Sequence, residues 1–531
     1  MGPGAPMGPG GPMPPGGPGG PAGPYGHYSG GAVPPGGNGG GRNRWLIPAA
    51  AATAVIVMAG AVWASVSLVN FAGNQPETVL PGNTAMFAKV DLSIDGNQAV
   101  ELMQFIDQLP DEMAEELDAD DGDMNELFAD VFSDAFPEAS KGSVQEWIGD
   151  GVGMGMWPSD DSSVGTEAGV GGAGMAFALS VENERLAEEE FDAISSEYDD
   201  LHYEVTDGFV LLTPDSASLG DLERQVDEHG TLDSADDFSS DMSDLPSGSL
   251  ATAWGDLAAM EEAEVTDEVR AELATGPTEI SGRVSAALHI DGSYLQVDSA
   301  LTDWSVDGSD MTWLADAETG SVEAIGQLPE NTVMAFGATG LDSALTEAYD
   351  DGELDFLTDN RDFQQMERDL NSVGAHLPEG FGALLGSSTV FGLTGQDSDG
   401  FFEETGGEAS FMYRAEGGDA QVVEDFVNDL MVGPYGQPPA VSDEDGTVVV
   451  QEGSSSTGAL ADDAVFEQTM QEMDEAVVAG FFDLRQVLAQ DNSVQDADQW
   501  GAVGFAVTPG EDGNRLSGEL RWSPSGGDGE D

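Results

Sequence analysis

The sequence predicts an α+β protein: two duplicated units of antiparallel sheet with helices, preceded by a disordered tail and one transmembrane helix. Three observations lead there. A Gly/Pro-rich start gives way to a long uncharged apolar stretch, short apolar runs follow Asp-Gly turns, and six segments recur in the same order later in the chain.

The first element is the tail, residues 1–44. It is dominated by Gly and Pro and has almost nothing apolar to bury, so it is expected to be disordered in the cytoplasm. Its spacing lacks the strict Gly-X-Y period of collagen. The second element spans residues 45–70. From Leu46 to Val69 no charge occurs over 24 residues. As a helix that run extends about 36 Å, enough to cross a bilayer. Arg42 and Arg44 precede it directly and the first acid is Glu77, so the positive-inside bias places the tail in the cytoplasm and the remainder outside the cell. A cleaved signal peptide fits less well, because its apolar region is shorter and here more than 40 residues come before it. The lipid bilayer, met through residues 46–69, is thus the first expected partner.

The third and fourth elements are the repeats, expected at 76–303 and 326–522 with their join within 304–326. Leu80-Pro81-Gly82-Asn83-Thr84 matches Leu328-Pro329-Glu330-Asn331-Thr332. Trp147-Ile148-Gly149 with GVGMGM matches Leu384-Leu385-Gly386 with STVFGL, and MAFALSV is set against ASFMYRA. Asp207-Gly208 and Asp445-Gly446 each open a buried-looking strand, Phe238 falls beside Phe466, and Asp256 beside Asp483. Last, the hairpin-like run from Arg283 to Thr302 resembles that from Ala502 to Trp522. Helical spacing is seen at Ala99 to Leu109 and Leu341 to Tyr349. The turn chemistry favours antiparallel pairing, with helices expected on one face.

The tail, the single span, the phrase QPETVLPGNTAMFAKVDLS, WIGDGVGMGM and the later LPENTVMAF resemble the actinobacterial membrane-anchored family known as domain of unknown function 3352. The resemblance covers nearly everything from Gln75 onward and implies an actinobacterial envelope protein. It carries no activity, substrate or site residue.

Charge narrows the function. The chain has 101 Asp and Glu against 14 Lys and Arg, a net charge of -87, and every acid lies after the apolar span. Nucleic acid is therefore not an expected partner, since binding a polyanion needs basic side chains. Only Lys89 and Lys141 are lysines, which suits a hydrated surface in a salty or cation-rich exterior, and weak association of divalent cations is expected. Cysteine is absent, so there is no disulfide, thiolate site or cysteine nucleophile.

Motifs for chemistry are near misses. Gly169 to Gly174 satisfies G-x-G-x-x-G but precedes an apolar strand instead of opening a helix. The serine run Gly453 to Gly458 reads as a loop and not a nucleophile elbow. Asp303, Ser305, Asp307 and Gly308 start a calcium-loop pattern that fails at Leu314, and Asp443, Asp445, Gly446 and Glu452 lack a ligand at Val441. The acidic run Asp111 to Asp130 reads as a solvated face. His27, His202, His229, His289 and His376 lie far apart. No catalytic, cofactor-binding or metal-binding residue is nominated. The expected function is non-enzymatic binding or scaffolding of an envelope protein or ligand; the alternative is an exported hydrolase with its site between the two units.

Overall fold

The computed structural model describes residues 75–92 and 101–525, the latter with interruptions, the longer ones at 114–124, 167–171, 263–279, 355–360, 395–409 and 429–438. The tail and the expected membrane span lie outside the described residues. Among the described residues no helix is long and apolar enough to cross a membrane.

Among the described residues, seventeen strands form one antiparallel sheet. The first octet comprises β1 (Met86–Asp91), β2 (Ile148–Pro158), β3 (Ala173–Val181), β4 (His202–Thr206), β5 (Phe209–Thr213), β6 (Ala251–Asp256), β7 (Ile280–Asp291) and β8 (Tyr294–Val306). After the two-residue β9 (Ser309–Asp310) comes the second octet. It comprises β10 (Thr332–Thr339), β11 (Ser388–Thr394), β12 (Ser410–Glu416), β13 (Ala440–Glu444), β14 (Thr447–Glu452), β15 (Val478–Asp483), β16 (Ala502–Pro509) and β17 (Arg515–Ser523).

Across the sheet the first octet runs β4-β5-β3-β2-β1-β6-β7-β8. The second runs β13-β14-β12-β11-β10-β15-β16-β17, the same order. They meet where β8 pairs with β17. The registers also correspond: Met86 faces Met156 as Met334 faces Leu393, and Ala251 faces Leu288 as Val478 faces Val507. One detail differs from the sequence alignment. Met175 faces Met156 and Phe411 faces Leu393, so MAFALSV matches the stretch starting at Phe411, two residues beyond where it was set. A shift of two keeps every side chain on its face, which is why alternation could not expose it.

Turn chemistry explains the outer hairpins. Asp207 and Gly208 have φ 50° and 82°, Asp445 and Gly446 have 54° and 93°, and each pair joins two strands. Positive φ at both central residues matches the right-handed twist of the flanking strands, and Asp-Gly tolerates it best.

The helices are α1 (Lys141–Trp147), α2 (Glu184–Ser195), α3 (Ser216–His229), α4 (Asp236–Ser243), α5 (Leu257–Glu262), α6 (Ser321–Gly326), α7 (Leu341–Asp351), α8 (Arg361–Ser372), α9 (Glu379–Leu385), α10 (Ala420–Phe426), α11 (Ala464–Met470) and α12 (Leu484–Leu488). They lie on both faces of the sheet, not on one. Val152, Leu179 and Val210 pack with Trp147 and Phe191 of α1 and α2 on one face. Ala176, Ala178, Phe209 and Leu211, of opposite parity on the same strands, pack with Leu222 and Phe238 of α3 and α4 on the other. The second octet repeats this: Val448 and Val450 meet α10, while Val449 and Phe481 meet α6 and α11. With apolar residues on both parities, strands such as Phe209–Thr213 must be covered twice.

Local sequence positions these helices. Asn183, Asp215, Asp419 and Asp463 are N-caps whose side chains accept from backbone N–H groups of the first turn. Leu80 and Leu232, both fully buried, are joined by a 2.9 Å backbone hydrogen bond. Leu328 and Leu460 repeat this at 2.7 Å.

Candidate binding face

The residues that the sequence put forward for chemistry are used structurally. Gly172, Ala173 and Gly174 run into β3, and no helix opens there. A Cβ on Gly174 would stand 2.2 Å from the Trp157 ring, so packing explains that glycine without a pyrophosphate. Ser456 clasps Asn331: its N–H donates to Asn331 Oδ1 at 2.8 Å, and its Oγ accepts from the Asn331 N–H at 3.2 Å. Asp303 pairs with Arg283 at 2.9 Å, Leu314 is buried, and Asp307 lies outside the described residues. Asp443 accepts from the Gly446 N–H at 3.0 Å within the β13–β14 turn. Most of the acidic run 111–130 lies outside the described residues. His202 opens β4, His229 closes α3, His376 bonds Asn371, and His289 sits in β7.

His289 belongs to a cluster that the sequence did not reveal, at the β8–β17 junction. Leu288 faces Val297 as Val507 faces Gly518, so Asp298 and Glu519 occupy equivalent positions of the two octets. The junction sets these two acids directly opposite each other. Equivalent residues meeting across a shared ladder is the pattern of an isologous interface. Arg521, 2 % exposed, holds it together. Its guanidinium donates to Glu519, to Gln296 Oε1 at 3.1 Å, and to the carbonyls of Thr469 and Gln471 at 3.2 and 2.8 Å, and lies 4.0 Å over the Tyr294 ring. His289 Nδ1 is 3.3 Å from Asp298. Burial raises the Glu519 carboxyl above the ordinary range; Arg521 draws it back and Asp298 pushes it up again. Arg521, bonded to four acceptors, is a fastening, and the acids beside it are its counterions.

The other feature is apolar. On the α1/α2 face of the first octet, Met86, Met156 and Met175 form one rung, and Met154, Phe177 and Leu212 lie on the next. Ala88 and Tyr203 extend the second rung at its ends. Every one of these is half-buried except Phe177, which is 41 % exposed. Four of the equivalent residues in the second octet are better covered, while Met334, Phe336, Phe411 and Val441 are half-buried like their counterparts. Leu393 is 1 % and Phe391 9 % exposed, Val450 is fully buried, and Phe411 and Tyr413 pack with Leu384, Val423 and Phe426. The Tyr413 hydroxyl donates to the Leu384 carbonyl. The first octet thus leaves four positions of the strip more open than its own repeat does.

Acids flank the strip at two places. The Tyr203 hydroxyl donates to Asp192 at 2.7 Å, and burial, that bond and the charges of Asp192 and Glu188 push its pKa up to about 12. Glu261 follows Met260, whose methyl lies where a Cβ on Gly255 would point, beside Met86. Lys89 has the opposite parity on β1 and turns to Gln75 and Glu77, at 2.6 Å each.

No family model, curated protein or solved structure matches this chain.

Proposed function

We propose that this chain is a single-pass membrane-anchored extracytoplasmic protein of a cell envelope, with a cytoplasmic Gly/Pro-rich tail and a body made of two duplicated units that works by binding or scaffolding. One observation carries the reading: an uncharged run, Leu46 to Val69, divides a start whose formal charges are Arg42 and Arg44 from a body that holds all 101 acids. Kinship with the family of domain of unknown function 3352 belongs to the same proposal and rests on the phrases quoted for it. The matching strand order of the octets supports the duplication, and the part-open methionine strip supports binding.

The experiment is protease treatment of intact cells with antibodies to both ends. Loss of the body with survival of the tail is expected; survival of the body with loss of the tail overturns the topology. A second reading, an exported hydrolase acting between the units, finds one point in its favour, the placing of His289 3.3 Å from the Asp298 carboxylate at the junction. The bonding of Arg521 to four acceptors there supports fastening instead.

A further inference from the structure

We infer that the methionine strip of the first octet is a docking surface for a cationic amphipathic helix. Its apolar side would lie on Met154, Met156, Met175 and Phe177, and its basic residues would meet the flanking acids. The inference rests on the binding reading above and names its partner class.

Three observations select this occupant. First, a helix covers this pleated surface in both octets: Phe411, Tyr413 and Val450 lie against Leu384 and the helix Ala420–Phe426, and Tyr203 and Leu212 pack with Trp147 and Phe191 of α1 and α2, a cover that leaves Phe177 exposed. Second, the first octet builds this strip from Met86, Met154, Met156 and Met175, where the second has Met334, Phe391, Leu393 and Phe411. Unbranched thioethers adapt to a partner's shape in a way that fitted aromatic rings do not. Third, acids flank the strip, with Glu188 and Asp192 beside Tyr203 and Glu261 next to Met260 at the β6 side, while Lys89 faces away. On a chain of net charge -87, an apolar patch so flanked attracts basic amphipathic segments and repels acidic ones.

The test uses the full chain in phosphatidylcholine nanodiscs. One probe is a 14-residue Leu/Lys peptide patterned as an amphipathic helix, and its control has the same composition in scrambled order. The readouts are peptide affinity and peroxide oxidation of each methionine by mass spectrometry. We expect the patterned peptide to bind at least tenfold tighter than the scrambled one and to slow oxidation of Met154 and Met175 severalfold. Phe177→Asp adds a negative charge, yet is expected to weaken binding at least tenfold; Phe177→Leu should stay within threefold, and Tyr198→Asp, at an exposed aromatic outside the strip, should have no effect. Equal binding of both peptides, or an unaffected Phe177→Asp, overturns the inference. So does protection of the strip without peptide, whether from the lipid alone or rising with protein concentration as in self-association. The purified chain is used whatever its orientation in cells, so a failed peptide and a failed topology are separate results.

Discussion

Arg521 shows how much a single side chain can be asked to hold. It is nearly inaccessible to water and joins β17 to β8 through Gln296, to its own strand through Glu519, and to the end of α11 through two carbonyls. Removing one member of a buried charge pair leaves the other uncompensated, so Arg521→Ala is expected to cost about 3 to 5 kcal/mol in urea unfolding. Arg521→Lys should recover less than half, because an ammonium cannot reproduce the planar fork. Glu519 gives a pH signature. Its folded carboxyl is raised, so the folded state binds its proton more tightly, and this contribution to stability falls as pH rises from the ordinary value of 4.5 through the folded pKa. Glu519→Gln should flatten the drop in melting temperature over that window relative to the parent; parallel curves would refute the assignment. Phe238, edge-on to Phe87 and Trp254 at 5.3 and 5.5 Å, is the plainer core case. Its equivalent Phe466 packs edge-on to Phe481 at 5.0 Å. Phe238→Ala is expected to lose about 3 to 5 kcal/mol. Both phenylalanines were legible from the repeat, whereas the bonding of Arg521 was not, since it depends on strands more than 200 residues apart.

At the scale of elements, glycines separate two kinds of constraint. Gly446 has positive φ with open space around it, so Gly446→Ala should cost only the left-handed penalty, about 1 kcal/mol. Gly386 also has positive φ, but a Cβ there would stand 2.1 Å from the Glu416 carbonyl oxygen. Its alanine variant should be several times more damaging, as chemical denaturation would show, and equal losses would contradict the packing. Strands and turns were legible because Asp-Gly and alternation are local signals. The second helical layer was not, because strands buried on both sides read as uniformly apolar and do not say how many layers cover them. Helix α3 was indirectly visible. From Asp207 to Phe238 the chain takes 31 residues, from Asp445 to Phe466 only 21, and the extra length accommodates Ser216–His229, for which the described residues of the second octet show no counterpart. The methionine strip escaped sequence reading for a related reason. GVGMGM and STVFGL look equally buried as strings, and only the reach of neighbouring helices makes one strip more open than the other.

For the whole molecule, charge dominates. With a net charge of -87, repulsion between carboxylates works against the compact state wherever it is not screened. Screening lengths fall from about 30 Å at 0.01 M salt to about 3 Å at 1 M. The melting temperature should therefore climb steadily over that range, and a scanning calorimetry series that stayed flat would remove charge repulsion as the governing term. Composition alone foretold this much.

The β8–β17 ladder has a consequence for how the chain comes together in time. Residues 295–302 find their partners only at 515–522, so during synthesis the first octet waits with one flank bare until nearly the last residues emerge. A nascent chain arrested before residue 515 should thus be prone to pair with a neighbour, and a nick between residues 510 and 514 of the finished protein should loosen the seam that closes last.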